Sequence, residues 1–157
     1  MIISLFNVRG TKNNHLSETM SYSDTYTTDH EEKLLKLVCQ NPFRILGVFS
    51  NASLKEITAN KTKLARYASV GKSVSFDADM NGLLPPVTRT TESVEKAFAD
   101  LSLSQDKLKH AMLWFMKCTS YDEDAFSKLA AGNVKEAKLV WEVHSSLSSV
   151  QNRIVWR

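Results

Sequence analysis

The chain has 157 residues, a formal net charge of +3, and 43% hydrophobic and 24% charged side chains. That is room for one domain, or one domain with an appendage, in a chain that buries roughly 68–70% of its unfolded surface. The balance is ordinary for a soluble globular protein. A charge this small does not argue for nucleic acid, which takes a clustered basic face.

Cys39 and Cys118 are the two cysteines and lie far apart. A disulfide framework or zinc site needs more, at closer spacing, so they read as free thiols in a reducing compartment. No run approaches the ~18 apolar residues of a membrane span. The start "MIISLFNVRG" meets Arg9 early and lacks a signal peptide's charged region and cleavage site. A cytoplasmic protein is the expectation.

Residues 1–30 read as a disordered tail, since "GTKNNHLSETMSYSDTYTTDH" is polar and holds no period. Met20 offers an alternative start to Met1. Helical signals begin at Glu31. "EEKLLKLVCQ" has acids in its first turn and Leu34, Leu35, Leu37 and Val38 behind them. Asn41 reads as an N-cap, Pro42 as the first helical residue and Gly47 as a left-handed stop, which predicts a short helical piece over Pro42 to Leu46.

Ser53 and Glu56 have capping-box spacing and open the next helix. Leu54, Ile57, Leu64, Ala65 and Ala68 fall on one face of it, and Lys55, Lys63 and Arg66 on the opposite face. Lys61 falls on the apolar face, from where it can snorkel to the rim. Residues 70–90 hold two glycines, a Pro pair and no period, which predicts a long loop of the functional or disordered kind.

A third helix starts near Thr91, with Val94, Ala97, Phe98 and Leu101 inward. After a break at "SLSQ", Leu108, Ala111, Met112 and Phe115 repeat the spacing. Asp122, Glu123 and Asp124 suit a helix start. Phe126, Leu129 and Ala130 form that helix's face and Gly132 ends it. Asn133 and Glu136 then cap a helix with Ala137, Val140 and Trp141 inward. Leu147, Val150 and Ile154 begin a further apolar stripe. No strand is predicted, so the class is all-α.

Catalytic and metal signals are thin. "GKS" at 71–73 lacks the glycine a phosphate loop needs five residues earlier, where Arg66 stands. His15, His30, His110 and His144 have no His or Cys neighbour at metal spacing. "DEDAFSKL" is short of the oxygen ligands of a calcium loop. Cys39 with a distant histidine is a pairing almost any chain allows. Neither metal nor cofactor is expected. The basic group of Lys55, Lys61, Lys63, Arg66 and Lys72 is the most distinctive surface feature. It reads as a solvated face, a docking surface for an acidic protein partner, or a nucleic-acid surface with Tyr67 for stacking.

"NPFRILGVFSNASLKEI", residues 41–57, resembles the opening of a J-domain, a helical co-chaperone module. Phe43, Ile45, Leu46, Gly47 and Val48 match that family's aromatic-x-x-Leu-Gly-hydrophobic pattern. Ala52, Ser53 and Ile57 match the start of its second helix, Leu64 and Ala65 fit further along it, and "AFADLS" at 97–102 resembles its third. The likeness covers residues 38–116. The His-Pro-Asp tripeptide through which the family stimulates an ATPase chaperone is absent. Ser75-Phe76-Asp77 stands in the loop instead, and Asn60 and Lys61 replace the usual Ala and aromatic. "AFSKLAAGNVKEAKLVWEV", residues 125–143, resembles a tetratricopeptide-type hairpin through Phe126, Leu129, Gly132, Asn133, Ala137 and Trp141.

The reading is an all-α protein: a J-domain-like helical domain over residues 31–117, then a helical hairpin and C-terminal segment over 118–157. The expected function is a non-catalytic protein–protein interaction module, a chaperone-associated adaptor or scaffold, binding its partner through Lys55, Lys63, Arg66 and Lys72. The alternative is a small nucleic-acid-binding protein using the same face. One hairpin cannot bury both of its sides. Either the last helix packs back on the preceding domain, or an exposed apolar side drives self-association.

Overall fold

The computed structural model describes residues 32–81 and 83–156; the tail over 1–30 lies outside the described residues. Eight helices make up the described fold. They are α1 (residues 32–39), α2 (Pro42–Ile45), α3 (Leu54–Ser69), α4 (Thr91–Ser102), α5 (Ser104–Met112), α6 (Ser120–Ala130), α7 (Val134–Val143) and α8 (Leu147–Trp156). A 3₁₀ turn spans Asp77–Asp79. The all-α class is therefore as expected.

Local chemistry sets the helix ends. The Asn41 side chain accepts from the Phe43 N–H at 3.1 Å, Pro42 opens α2, and Gly47 follows at φ +66°. Ser53 accepts from the Glu56 N–H at the start of α3. Thr90 and Ser93 cap α4 reciprocally, and Thr119 and Asp122 do the same for α6. Asn133 holds the N-cap position of α7, but its side chain makes no capping bond there. Gly71, inside the "GKS" stretch, terminates α3. Its N–H donates to Ala68 O, and the Lys72 N–H to Tyr67 O. These bonds are those of a helix C-terminus and leave no phosphate cradle.

One apolar core runs through the described fold. Phe43, Leu46 and Val48 join Ile57 and Leu64 of α3 and Val94, Ala97 and Leu101 of α4. Trp114 and Phe115, beyond the end of α5, carry the core on to Leu129, Ala137 and Trp141 of the hairpin. Phe49 stacks on Phe126 with ring centroids 5.0 Å apart, and Phe126 meets Trp141 edge-on at 5.3 Å. The Trp114 indole donates to Val48 O at 3.0 Å. The hairpin is thus docked. The last helix packs back as well: the Asn152 amide exchanges two 2.8 Å bonds with the backbone of Met116.

Several inward assignments are corrected. Leu54 is 65% exposed, and Ala65 and Ala68 of α3 are exposed too. Leu108 and Met112 also face outward, because α5 buries none of its residues and the core is filled by Trp114 and Phe115 just after it. On α8 the buried face is Ser148, Ser149, Asn152 and Val155, while Leu147, Val150 and Ile154 lie outside.

Candidate partner-binding face

The loop over 70–90 frames the site and is ordered by side chains distant in sequence. Arg44, fully buried, donates from Nε and Nη2 to Asp79 O and from Nη1 to Cys39 O. Burial draws its pKa below the usual arginine value. Arg89 forms a two-pronged ion pair with the buried Asp79 carboxylate, and also donates to the carbonyls of Ile45, Val74 and Arg44. A fork of this kind fixes a loop in a way a lysine cannot. Asp79 in turn accepts from the Phe76 N–H. The Phe76 ring packs against Gly47, flanked by Lys63 at 5.0 Å and Arg89 at 5.1 Å from its centroid. Asn60 donates to the carbonyls of Leu46 and Gly47, both at 3.1 Å, closing off the end of α2.

On this frame α3 turns Ile57 and Leu64 inward and its basic residues outward. Lys55, Lys63, Arg66 and Lys72 are all exposed and line one shallow, open depression with Thr58, Thr62 and Tyr67; no carboxylate lines it. Lys55, Arg66 and Lys72 have no ion-pair partner among the described residues. Lys61 does not belong to the face. It reaches the other way, 4.2 Å from the Phe98 ring centroid and 2.7 Å from Glu95, the snorkelling position expected of it. Lys63 leans to the edge, over Phe76.

A second concavity, of about 700 Å³, lies between the first turns of α3, residues 75–78 and residues 117–123. Lys63 and Lys117 stand there beside Glu56, Asp77 and Glu123, so its charge is mixed and not the single sign of the first depression. Exposed Cys118 also lines it. Burial, together with the Asp122 charge, pushes the Cys118 pKa up. Burial likewise raises that of Cys39, against the pull of Arg44. Both shifts run opposite to the activation a thiol nucleophile needs. Among the described residues no group of three His, Cys, Asp or Glu side chains is placed to hold a metal, and no helix is long and apolar enough to cross a membrane.

Residues that sequence pattern did not single out do much of the positioning: Arg44, Asp79 and Arg89 for the loop and Asn152 for the hairpin, while Asp122, expected only as a helix-start charge, also holds the hairpin. Adjacent in the sequence, Asp122 looks like its solvated neighbours Glu123 and Asp124. In the fold it is fully buried and accepts from the Trp141 indole at 3.1 Å. Comparison with protein families, with curated proteins and with solved structures returns no match.

Proposed function

We propose that this chain is a non-catalytic protein–protein interaction module of the cytoplasm, a chaperone-associated adaptor that docks an acidic segment of a protein partner on the outward face of α3. One observation carries the reading: Lys55, Lys63, Arg66 and Lys72 share a depression without a single carboxylate. A one-sign surface attracts the opposite sign and speeds encounter. The J-like pattern of residues 38–116 supports the chaperone association, as the tetratricopeptide-like pattern supports a scaffold. The absence of His-Pro-Asp argues against ATPase stimulation. So does the clamping of Phe76, in the loop where that tripeptide would stand, between Gly47, Lys63 and Arg89. The free thiols of Cys39 and Cys118 suit a reducing compartment.

The test is capture of partners from native lysate by the full chain and by Lys55→Glu/Arg66→Glu/Lys72→Glu. A protein held by the first and lost by the second supports the reading. Its association rate should fall with each reversal, and its salt dependence should flatten. Capture unaffected by the triple reversal sinks the basic face as the docking site. Tight, steeply salt-dependent binding of RNA or DNA to the same face favours the nucleic-acid reading instead. Single-turnover ATP hydrolysis by the host chaperone should be unchanged when the chain is added.

A further inference from the structure

We infer that a second copy of this chain covers an apolar face formed by α5 and α8, making the protein a two-fold dimer. The face contains Leu108 (66% exposed), Met112 (63%), Leu147 (75%), Val150 (38%) and Ile154 (61%). Gln151 joins its two halves. It shares the outer side of α8 with Leu147, Val150 and Ile154, and its amide donates to the carbonyls of Ala111 and Met112 at the end of α5. Met112 therefore lies alongside α8, and Leu108 one turn behind it.

This face is held outward by the opposite side of α8. Buried Ser148 and Ser149 lie 3.0 and 2.7 Å from the Ser146 hydroxyl. Asn152 binds the Met116 backbone at both its oxygen and its nitrogen, and also reaches Asp122. Turning α8 to hide Leu147, Val150 and Ile154 would break the Asn152 bonds and the bond from the Ser148 hydroxyl to Asp122, and leave buried polar groups unpaired. Yet three aliphatic side chains left largely in water are a sizeable forgone gain for a folded monomer.

Area favours a copy of the same chain as the occupant. Five side chains at these exposures present on the order of 500 Å² of apolar surface, at the upper end of what a monomer leaves open. A two-fold axis sets the patch against itself and doubles that to the ~1,000 Å² a specific interface needs. The five side chains bear no charge, and neighbouring Lys109 is already paired with Asp106 at 2.9 Å; Arg153, three residues after Val150, is the rim cation an identical partner must accommodate.

Sedimentation equilibrium of the full chain decides the matter. Twice the 17.7 kDa chain mass at high micromolar concentration, falling on dilution, is the expected result. Met112→Asp/Ile154→Asp should stay at the single-chain mass throughout. Its circular dichroism should match the parent, and so should its unfolding midpoint at dilutions where the parent is a single chain, because both sites are exposed. A parent that is monomeric over the whole range overturns the proposal, as does a dimer indifferent to the double substitution. Growth beyond two copies overturns the two-fold arrangement. A full chain that is monomeric while one lacking residues 1–30 dimerises would make that segment, not a second copy, the occupant.

Discussion

The ring of Phe76 fills the space that a side chain on Gly47 would need: a methyl group there would sit 2.2 Å from Phe76 Cδ2. Gly47 also has φ +66°. Gly47→Ala therefore meets two costs, roughly 1–2 kcal/mol for the left-handed backbone and roughly 1–3 kcal/mol for overpacking. Gly71→Ala and Gly132→Ala, with positive φ but open space around them, should cost the first alone. Urea unfolding of the three variants measures the difference. Adding Phe76→Ala to Gly47→Ala should recover part of the loss. No recovery would mean the ring is free to move aside.

That pair also marks where the sequence stops being informative. Gly47 as a helix stop is legible because its meaning is local, like Asn41 and Pro42 before it and Ser53 after it. Phe76 as its partner is not, since nothing within 29 residues of chain announces the contact. The loop over 70–90 shows no period because its order comes from Arg44 and Arg89 binding backbone carbonyls, which leaves no repeat in the side chains. Helix α8 misleads more deeply. Its apolar stripe is real, but Ser148 and Asn152 win the buried side by pairing with Asp122 and the Met116 backbone. On α3, Lys55, Lys63 and Arg66 are exposed, as their spacing opposite Ile57 and Leu64 predicts, because that side has nowhere to go but water.

Breaking one partner of the Arg89–Asp79 pair should release the loop. Both side chains are nearly buried, and an uncompensated buried charge costs about 3–5 kcal/mol. Arg89→Met is the more informative variant, since it also orphans the carbonyls of Ile45, Val74 and Arg44. Hydrogen exchange should show residues 74–90 losing protection before α3 and α4 do. Arg89→Lys should not rescue them, because an ammonium cannot reproduce the fork. Global unfolding with no early loss in the loop would show that the pair holds the whole fold rather than this segment.

Leu54 and Leu64 share an apolar stripe in the sequence but differ tenfold in exposure, 65% against 6%. Leu64→Ala should cost about 2–5 kcal/mol. Leu54→Ala, at the exposed first turn of α3, should stay within about 0.5 kcal/mol. Chemical denaturation compares them directly, and equal losses would contradict the placement of α3. Phe98→Ala should fall between the two, its ring being half-buried under Lys61.

Asp122 should make the hairpin sensitive to acid. Burial alone would raise its pKa, but hydrogen bonds from the Ser148 hydroxyl, the Cys118 and Thr119 N–H groups and the Thr119 hydroxyl outweigh that and hold it below the usual carboxylate value. A depressed pKa means that the folded state favours the ionised form. Its contribution is therefore complete above the unfolded pKa of about 3.9 and fades as pH falls below that, through the folded value. Asp122→Asn puts either a donor or a neutral oxygen opposite the N–H groups of Cys118 and Thr119, and should cost roughly 1–3 kcal/mol at neutral pH. The gap between parent and variant should be constant from pH 7 to 5 and narrow below about pH 4, as the parent loses the charge the variant never had. Urea unfolding across that range, followed by tryptophan fluorescence, to which Trp141 beside the carboxylate contributes with the chain's other two tryptophans, supplies the curves. Two curves that stay parallel down to pH 3 would mean that the Asp122 charge contributes nothing to the fold.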